Sequence, residues 1–424
     1  MKFDHEVLCF SECDFFGGSE HNLFSVLNYQ KKYTTDFRYK VLIPENQDYL
    51  EGVKEFGYDI SAVVQMSYLL SDRSFRFLRS LKFGNIIYQV CRLLFLIPIS
   101  IYLLIRFSVT IKKFKPDSVI VNSGGFPASL TGRVFCISAR ICRVKKILFI
   151  CNNKPVFYSR ASRFIDILID LIFFVSVDQI VTGSRYNRRV FGPFSNVFGF
   201  SVTNVPNGIN IDRFDGHLPS VKHINPMNGA TLLPKISRNR MLRIGMVGLF
   251  EERKGHLFLL DAIDRLRDVI GFGLDTKVRF LLDVNRDGHD DLSSFVTQRN
   301  LEDVVELCES SHIYSFYSNI DCLVFPSVYG EDLPNVISEA MALGKIVLAS
   351  RVAGTVEQII DGKTGFLFNA GDENDFIAAF RRLFEIWVAE SNCFELMRSA
   401  GVKRFQRRFS RVVAVEQYRE LLSW

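Results

Sequence analysis

The stretch FPSVYGEDLPNVISEAMALG, residues 325–344, carries two glutamates eight positions apart and indicates the fold around it. The run CLVFPS, which overlaps its start, is apolar enough for a buried strand. Pro334 suits the first position of a helix, and Gly344 suits the left-handed residue after its end. We therefore predict a strand, a loop that contains Glu331, and a helix that contains Glu339.

The start of such a helix presents backbone N–H groups, here those of Leu333 and Asn335 beside Pro334, which favour phosphate or sugar oxygens. Ionised carboxylates beside them can accept strong hydrogen bonds from the vicinal hydroxyls of a sugar or ribose. The structural alternative is that Glu331 is a solvated loop residue and Glu339 an ordinary helix glutamate.

Short apolar runs alternate with longer helical patterns on both sides of this stretch. Continuous apolar strands separated by helices predict parallel sheets that are covered on both faces, which is the doubly wound α/β fold. Because 424 residues exceed one ordinary core, we expect two domains. The predicted strands are residues 119–123, 147–151, 179–184, 243–248, 278–283, 322–327 and 346–350.

The least regular part of the chain is residues 215–240, where prolines and Asn-Gly interrupt any period, and we predict the linker there. The N-terminal domain would comprise residues 1–205 and the C-terminal domain residues 206–405. Residues 406–424 would form a helix that packs back towards the N-terminal domain. Ligands bind at the carboxyl ends of parallel strands, so we expect substrates in a cleft between two such domains.

Composition excludes some classes of protein. The 52 Lys and Arg against 46 Asp and Glu give a net charge of +6, a mild excess that we interpret as spread over the chain and that does not indicate nucleic-acid binding. Nine cysteines without a CxxC pair indicate reduced thiols and a cytoplasmic protein. The N-terminus MKFDHEVLCF lacks the basic and long apolar regions of a signal peptide.

Five stretches, in this order along the chain, resemble the GT-B glycosyltransferases of family 4, the glycosyl transferases group 1, of the polysaccharide-biosynthesis type. The opening stretch carries the family's Glu-x7-Glu signature, and together the five extend from residue 15 to residue 368. The other four are FFGGSEHNLFSVL (15–27), VPNGINIDRF (205–214), VGLFEERKGHLFLLDAI (247–263) and VAGTVEQIIDGKTGFLF (352–368).

The resemblance implies two Rossmann-like domains, of which the N-terminal one binds the acceptor and the C-terminal one binds a nucleotide-sugar donor. Glu339 would accept hydrogen bonds from the ribose hydroxyls, and Glu331 would contact the donor sugar. Lys254, with Arg253 beside it, would neutralise charge on the departing diphosphate.

Backbone amides at Leu333, Pro334 and Asn335 would hold the donor's sugar and phosphate. The loop that contains Gly17 and Gly18 would close over the diphosphate from the other domain, since glycine lets the backbone approach a ligand closely.

The resemblance also implies that the anomeric configuration is retained without a metal ion, with the leaving phosphate taking the acceptor's proton. No cofactor is then expected besides the nucleotide-sugar itself. None of the seven histidines lies at metal-ligand spacing with cysteine. The stretch that begins at Asp283 matches the first half of a calcium-binding loop, but Ser294 stands where a bidentate Glu is required.

Three positions depart from the family pattern. Leu249 stands where an Arg often follows the glycine of VG, and Ala353 replaces a second glycine. Cys151 stands where a histidine often lines the acceptor side, and a thiol is only a weak hydrogen-bond donor. The acceptor-side candidates are therefore Cys151 itself, Asn152 and Asn153, with Lys154 as a further polar side chain.

Residues 72–83 place four basic side chains at three-residue intervals and predict a basic amphipathic helix. The apolar run at 93–105 would rise only about 20 Å as a helix, which is too short to span a bilayer. Together they predict peripheral association with an anionic membrane at its cytoplasmic face. The alternative is a solvated helix face followed by a core helix.

The function that these features favour is transfer of a sugar from a UDP- or GDP-sugar to a saccharide or lipid-linked saccharide in cell-surface polysaccharide biosynthesis. A second hypothesis is a non-catalytic partner protein of the same fold. A third is a nucleotide-sugar epimerase or sugar-phosphate synthase, which would give no reason for the basic face at 72–83. The lack of a GxGxxG after any predicted strand argues against a dinucleotide dehydrogenase.

Overall fold

The structure is a computed structural model of the 424-residue chain. It describes residues 5–11, 16–33, 37–67, 84–127, 130–155, 166–211, 241–270, 278–284, 286–308, 313–389 and 392–423. The predicted basic helix at 72–83 and the predicted linker at 215–240 lie outside these residues. The chain forms two compact units, one of residues 1–208 with 411–424 and the other of residues 209–410.

A seven-stranded parallel sheet forms the centre of the first unit, with the strand order β3-β2-β1-β4-β5-β6-β7. Side chains of β4 alternate between two cores, since Val119 and Val121 pack on one face and Ile120 on the other. The strands are β1 (His5–Ser11), β2 (Phe37–Pro44), β3 (Val63–Met66), β4 (Ser118–Ser123), β5 (Lys146–Cys151), β6 (Gln179–Thr182) and β7 (Ser201–Asn204).

Helices cover both faces of this sheet, which confirms the doubly wound prediction for the first unit. The core of one face includes residues of α1 and α2, and the core of the other includes residues of α3 to α6. The helices are α1 (Gly18–Tyr33), α2 (Gln47–Glu55), α3 (Gly84–Phe114), α4 (Leu130–Ile141), α5 (Asp166–Ser176) and α6 (Arg185–Phe198).

Helix α3 is much longer than the apolar run at 93–105 predicted. Its 31 residues give a rise of about 46 Å. Within it, the 21 residues Leu94–Phe114, which include an 18-residue window of mean hydropathy 2.1, are long and apolar enough to cross a membrane by length and composition alone. One side of the helix nevertheless packs into the core of the first unit through Leu103 and Phe107.

The second unit is built on a six-stranded parallel sheet with the order β10-β9-β8-β11-β12-β13. Its strands are again buried on both faces, as their apolar sequences predict. They are β8 (Leu242–Val247), β9 (Val278–Asp283), β10 (Val305–Cys308), β11 (Cys322–Phe325), β12 (Ile346–Ser350) and β13 (Gly365–Phe368).

The helices of the second unit are α7 (His256–Ile270), α8 (Arg286–Gln298), α9 (Ile313–Asn319), α10 (Asn335–Ala342), α11 (Thr355–Gln358), α12 (Glu373–Val388) and α13 (Cys393–Arg408). Because α8 begins three residues after Asp283, the stretch that matches half a calcium-binding loop is a strand end followed by a helix.

The last helix, α14 (Arg411–Leu422), belongs to the first unit, where it packs against α1. Gly208 lies against this helix, because a Cβ there would come 2.6 Å from the Cβ of Ala414. The glycine of the Pro-Asn-Gly segment is therefore explained by close packing of the chain on α14.

Candidate functional site

The quoted stretch forms the predicted strand, loop and helix. Pro334 has an extended backbone (φ −60°, ψ 124°) and caps α10, so the helix begins one residue later than predicted. Gly344 adopts φ +67°, as the prediction of a left-handed residue requires. The N–H of Gly344 donates to the Met341 carbonyl at 3.1 Å, and that of Lys345 to the Ala340 carbonyl at 2.8 Å. This pair of backbone hydrogen bonds ends α10 and fixes its position.

Glu331 is the centre of a charged cluster in the loop before α10. It is only 6% exposed, and its Oε1 accepts hydrogen bonds from Arg253 Nη1 at 2.6 Å, Lys254 Nζ at 2.7 Å and Ser327 Oγ at 3.2 Å. Arg253 Nε also lies 2.7 Å from a carboxylate oxygen of Glu251. The structure thus brings together the three residues predicted as catalytic.

The backbone explains why the two cations lie there. Residues Glu252–Lys254 form one turn of 3-10 helix, which ends at Gly255 with φ +79°. A Cβ on Gly255 would lie 2.2 Å from the carbonyl oxygen of Pro326, so only glycine fits. The N–H of Val328 donates to the Arg253 carbonyl at 2.9 Å and joins the two loops.

Glu339 lies on α10 and is also 6% exposed. Tyr317 lies on α9 and is fully buried. Its hydroxyl donates to Glu339 Oε2 at 2.9 Å. This contact helps to orient the Glu339 carboxylate. Sequence analysis did not find Tyr317, because its position in an aromatic run resembles that of any core residue.

His256, the first residue of α7, is a second residue that sequence analysis did not single out. Its imidazole is 1% exposed and lies against the edge of Phe250, with ring centroids 5.5 Å apart. Burial, and secondarily the charge of Lys254, lower the pKa of His256 from 6.5 to about 4. The imidazole is therefore neutral beside the charged cluster at neutral pH.

In the first unit, Gly17 immediately precedes α1 and Gly18 begins it. The Gly17 N–H donates to Glu20 Oε2 at 3.3 Å, and Ser19 Oγ donates to the same oxygen at 2.6 Å. Ser11 Oγ, at the carboxyl end of β1, donates to Glu20 Oε1 at 3.2 Å. Burial raises the pKa of Glu20, and these hydrogen bonds offset part of that rise.

The acceptor-side candidates lie at the carboxyl end of β5. The Cys151 thiol is fully buried in the core, so it is not accessible in this conformation. Asn152 Nδ2 donates to Asn122 Oδ1 at 2.8 Å and to the Ser123 carbonyl at 2.9 Å, whereas Asn153 is exposed. Polar contact from this strand end therefore falls to the two asparagines.

Comparison with known proteins gives the fold of the chain and a family match for part of it. Residues 242–385, about a third of the chain, match the family model "Glycosyl transferases group 1". The capsular polysaccharide biosynthesis glycosyltransferase CapM of Staphylococcus aureus is 26% identical over 174 residues, which are 41% of this chain and 44% of CapM. An uncharacterized glycosyltransferase of Methanocaldococcus jannaschii is 31% identical over 168 residues, 39% of this chain and 43% of that protein.

The chain therefore spans less than half the length of these two relatives. Among solved structures, Anabaena HepE in complex with UDP superposes with a TM-score of 0.70 at 16% identity, over 98% of this chain and 99% of HepE. A likeness at this identity concerns the fold, and it extends over both units. The chain thus has the two-domain GT-B fold, and its residues 242–385 match the glycosyl transferases group 1 model.

Proposed function

We propose that this protein is a retaining glycosyltransferase that moves a sugar from a UDP- or GDP-sugar to a saccharide or lipid-linked saccharide in cell-surface polysaccharide biosynthesis. The observation that carries the proposal is the cluster of Arg253, Lys254 and Glu331 beside the start of α10. The name of CapM and the complex of HepE with UDP support the substrate class.

The donor would lie along the loop between β11 and α10. Glu339, held by Tyr317, would accept hydrogen bonds from the ribose hydroxyls, and Glu331 would accept them from the sugar. Backbone amides at Leu333 to Asn335 would hold phosphate and sugar oxygens at the start of α10. In the first unit, the Gly17–Gly18 turn would contact the diphosphate through its backbone.

In the reaction, the bond between the anomeric carbon and the phosphate oxygen breaks, and the acceptor oxygen forms its bond to the same face of that carbon. The acceptor's proton passes to the departing phosphate oxygen, so no protein base is needed. Lys254 and Arg253 would stabilise the negative charge that develops on the diphosphate. We propose that no metal ion takes part.

Among the residues that the structure describes, no group of three or more His, Cys, Asp and Glu side chains could hold a metal ion. We propose that side chains balance the charge of the diphosphate. Acceptor contacts would come from Asn152 and Asn153 at the end of β5.

The protein would work at the cytoplasmic face of an anionic membrane, through residues 72–83 and 93–105. Five apolar side chains of α3 that do not pack into the core support this location. They are Leu94, Ile97, Ile101, Ile105 and Val109.

Calorimetric titration with UDP, GDP and ADP tests the donor site. We expect one nucleoside diphosphate to bind, and Glu339→Gln to weaken that binding about 10- to 100-fold, because hydrogen bonds to a charged carboxylate are lost. Glu385→Gln, an exposed glutamate on α12, is the matched control and should bind as the wild type does. Failure of the wild type to bind any of the three would overturn the proposal.

Turnover tests the chemistry separately. Lys254→Ala removes a cation from the leaving group, and we expect turnover to fall about 30- to 1000-fold. Unchanged turnover would reject the role of Lys254, and absence of transfer by a wild type that binds nucleotide would favour a non-catalytic partner protein.

A further inference from the structure

Helix α5 buries its two charged side chains, together with Phe173 and Phe174, and exposes four apolar side chains. Asp166 and Asp170, the charged residues of this helix, are 1% and 0% exposed. The four apolar side chains at the surface are Leu168, Leu171, Ile172 and Val175, with 63%, 42%, 42% and 59% of their area exposed. A helix that faces water has the opposite distribution. The outer face of α5 is therefore suited to an apolar partner.

On the charged side of α5, Asp170 is paired within the fold. Asp170 forms a buried ion pair with Arg133 of α4. Such a pair fixes the rotation of α5 about its axis, because turning the helix outward would leave Arg133 as an uncompensated buried charge. The exposure of the apolar face of α5 is thus fixed by packing within the first unit.

Helix α3 presents a second apolar stripe at spacings of three and four residues. Leu94, Ile97, Ile101, Ile105 and Val109 are between 53% and 64% exposed. Helix α4 packs between α3 and α5, and all three helices contribute to the core on the same side of the sheet. The stripes of α3 and α5 therefore face away from the sheet on that side, and we call them together the outer apolar face.

The charge of this part of the chain is strongly one-sided, contrary to the expectation of an excess spread over the chain. Residues 73–165 contain 17 Lys and Arg and a single acidic residue, Asp117. The rest of the chain contains 35 Lys and Arg against 45 Asp and Glu. Exposed basic side chains lie where α3 and α4 end, at Lys112, Lys113, Lys115 and Arg143.

We propose that the outer apolar face is a docking surface for an anionic lipid bilayer. Helices α3 and α5 would lie with their stripes at the level of the acyl chains, and the basic side chains near the helix ends would contact lipid phosphates. This inference deepens the membrane part of the proposed function and adds α5 to it. It does not depend on which sugar is transferred.

A second copy of the chain fits this face less well. A symmetric dimer through the outer apolar face would bring two strongly basic regions together, and like charges at an interface oppose association. An anionic bilayer instead offers both an apolar layer and negative charge. The charge of residues 73–165 thus distinguishes the two occupants.

The test is sedimentation of the full chain with vesicles of phosphatidylcholine alone and with about one third phosphatidylglycerol. We expect the wild type to bind the anionic vesicles only. The double variant Leu168→Gln with Val175→Gln should have a partition coefficient at least about 10-fold lower, since two apolar side chains no longer leave water. The matched control is Val388→Gln with Leu396→Gln in the second unit, where the side chains are 53% and 67% exposed. It should bind as the wild type does.

Nucleotide titration of the α5 variant separates this inference from the proposed function. Unchanged nucleotide affinity together with weaker vesicle binding would support the docking surface. Equal vesicle binding by variant and wild type would overturn it, as would a wild-type dimer in solution that the α5 substitutions abolish without any vesicle binding. Absence of nucleotide binding in all the proteins would overturn the proposed function and leave the docking surface standing.

Discussion

Glu331 binds both cations of the candidate donor site through one carboxylate oxygen. Arg253 and Lys254 are therefore partly neutralised before any donor arrives, and a second carboxylate, that of Glu251, also contacts Arg253. A diphosphate that enters must compete for these cations. In the proposed donor complex Glu331 would thus have two opposite effects, since it would favour binding of the sugar hydroxyls and oppose binding of the diphosphate.

Glu331→Gln should separate the two effects. We expect the affinity for free nucleoside diphosphate to stay the same or to rise up to about 10-fold, because the cations lose a competing carboxylate. Turnover should fall about 100-fold or more, because the hydroxyls of the donor sugar lose a charged hydrogen-bond acceptor. Calorimetry and initial rates measure the two quantities.

Glu251→Gln is the control for Glu331→Gln, because the Glu251 carboxylate contacts Arg253 but not Lys254. Its turnover should stay near that of the wild type. If Glu331→Gln lowered nucleotide affinity and left turnover unchanged, our assignment of Glu331 to the sugar would be wrong.

The buried His256 leads to a prediction about the pH dependence of folding stability. Its pKa is lowered to about 4 in the fold, so between pH 6.5 and pH 4 the unfolded chain binds a proton that the folded chain does not. The contribution of His256 to folding stability is therefore fully present above pH 6.5 and should be lost as the pH falls towards 4. At pH 5 we expect a loss of about 1–2 kcal/mol relative to pH 7 from this residue.

Urea unfolding of the wild type and His256→Leu at pH 7 and pH 5 measures this loss. The variant should lose less stability than the wild type between the two values. An identical loss in both proteins would show that His256 does not contribute to the pH dependence.

At the scale of helices and strands, the pair between Arg133 and Asp170 joins α4 to α5. Asp170→Ala leaves Arg133 buried without its carboxylate partner, and we expect it to lower the free energy of unfolding by about 3–5 kcal/mol. The double variant Asp170→Ala with Arg133→Leu should recover much of that loss, because both charges of the pair are removed together. Chemical denaturation measures both.

Asp48→Ala, at an exposed position in the first turn of α2, is the matched control for Asp170→Ala. It should cost no more than about 1 kcal/mol. Equal effects of the two single variants would contradict the assignment of the buried pair as a fixed junction between α4 and α5.

Sequence patterns predicted much of the fold, because continuous apolar runs between helices leave few arrangements other than parallel sheets. Gly344 could be predicted for a similar reason, since it occupies a left-handed conformation that favours glycine. Ala353 shows the limit of that argument. It adopts φ +37° without being glycine, at a cost of roughly 1 kcal/mol.

What the sequence did not predict depends on contacts between distant segments. Tyr317 contacts Glu339 from another helix, and nothing in its neighbours distinguishes it from a core tyrosine. Helix α3 was predicted too short because its continuous apolar run ends at residue 105. It continues because Phe107 and Ile111 keep the helical spacing of its buried side.

At the scale of the whole molecule, the net charge of +6 conceals two regions of opposite sign. The basic region at 73–165 contains α3, which carries one stripe of the outer apolar face, and ends where α5 begins, whereas the rest of the chain is acidic. This separation was readable from the sequence, but a single total for the chain hid it. Charge should therefore be counted by segment before a partner is inferred.

The discontinuity of the first unit has a consequence for synthesis on the ribosome. Residues 1–208 lack α14 until residues 411–422 are translated, whereas the second unit, residues 209–410, is continuous. Ala414, Val415 and Leu422 of α14 fill the core beside α1, so the early segment emerges with that part of its core uncovered. The nascent N-terminal segment would thus depend on chaperones for longer than its position in the chain suggests, and its final folding step would follow that of the second unit.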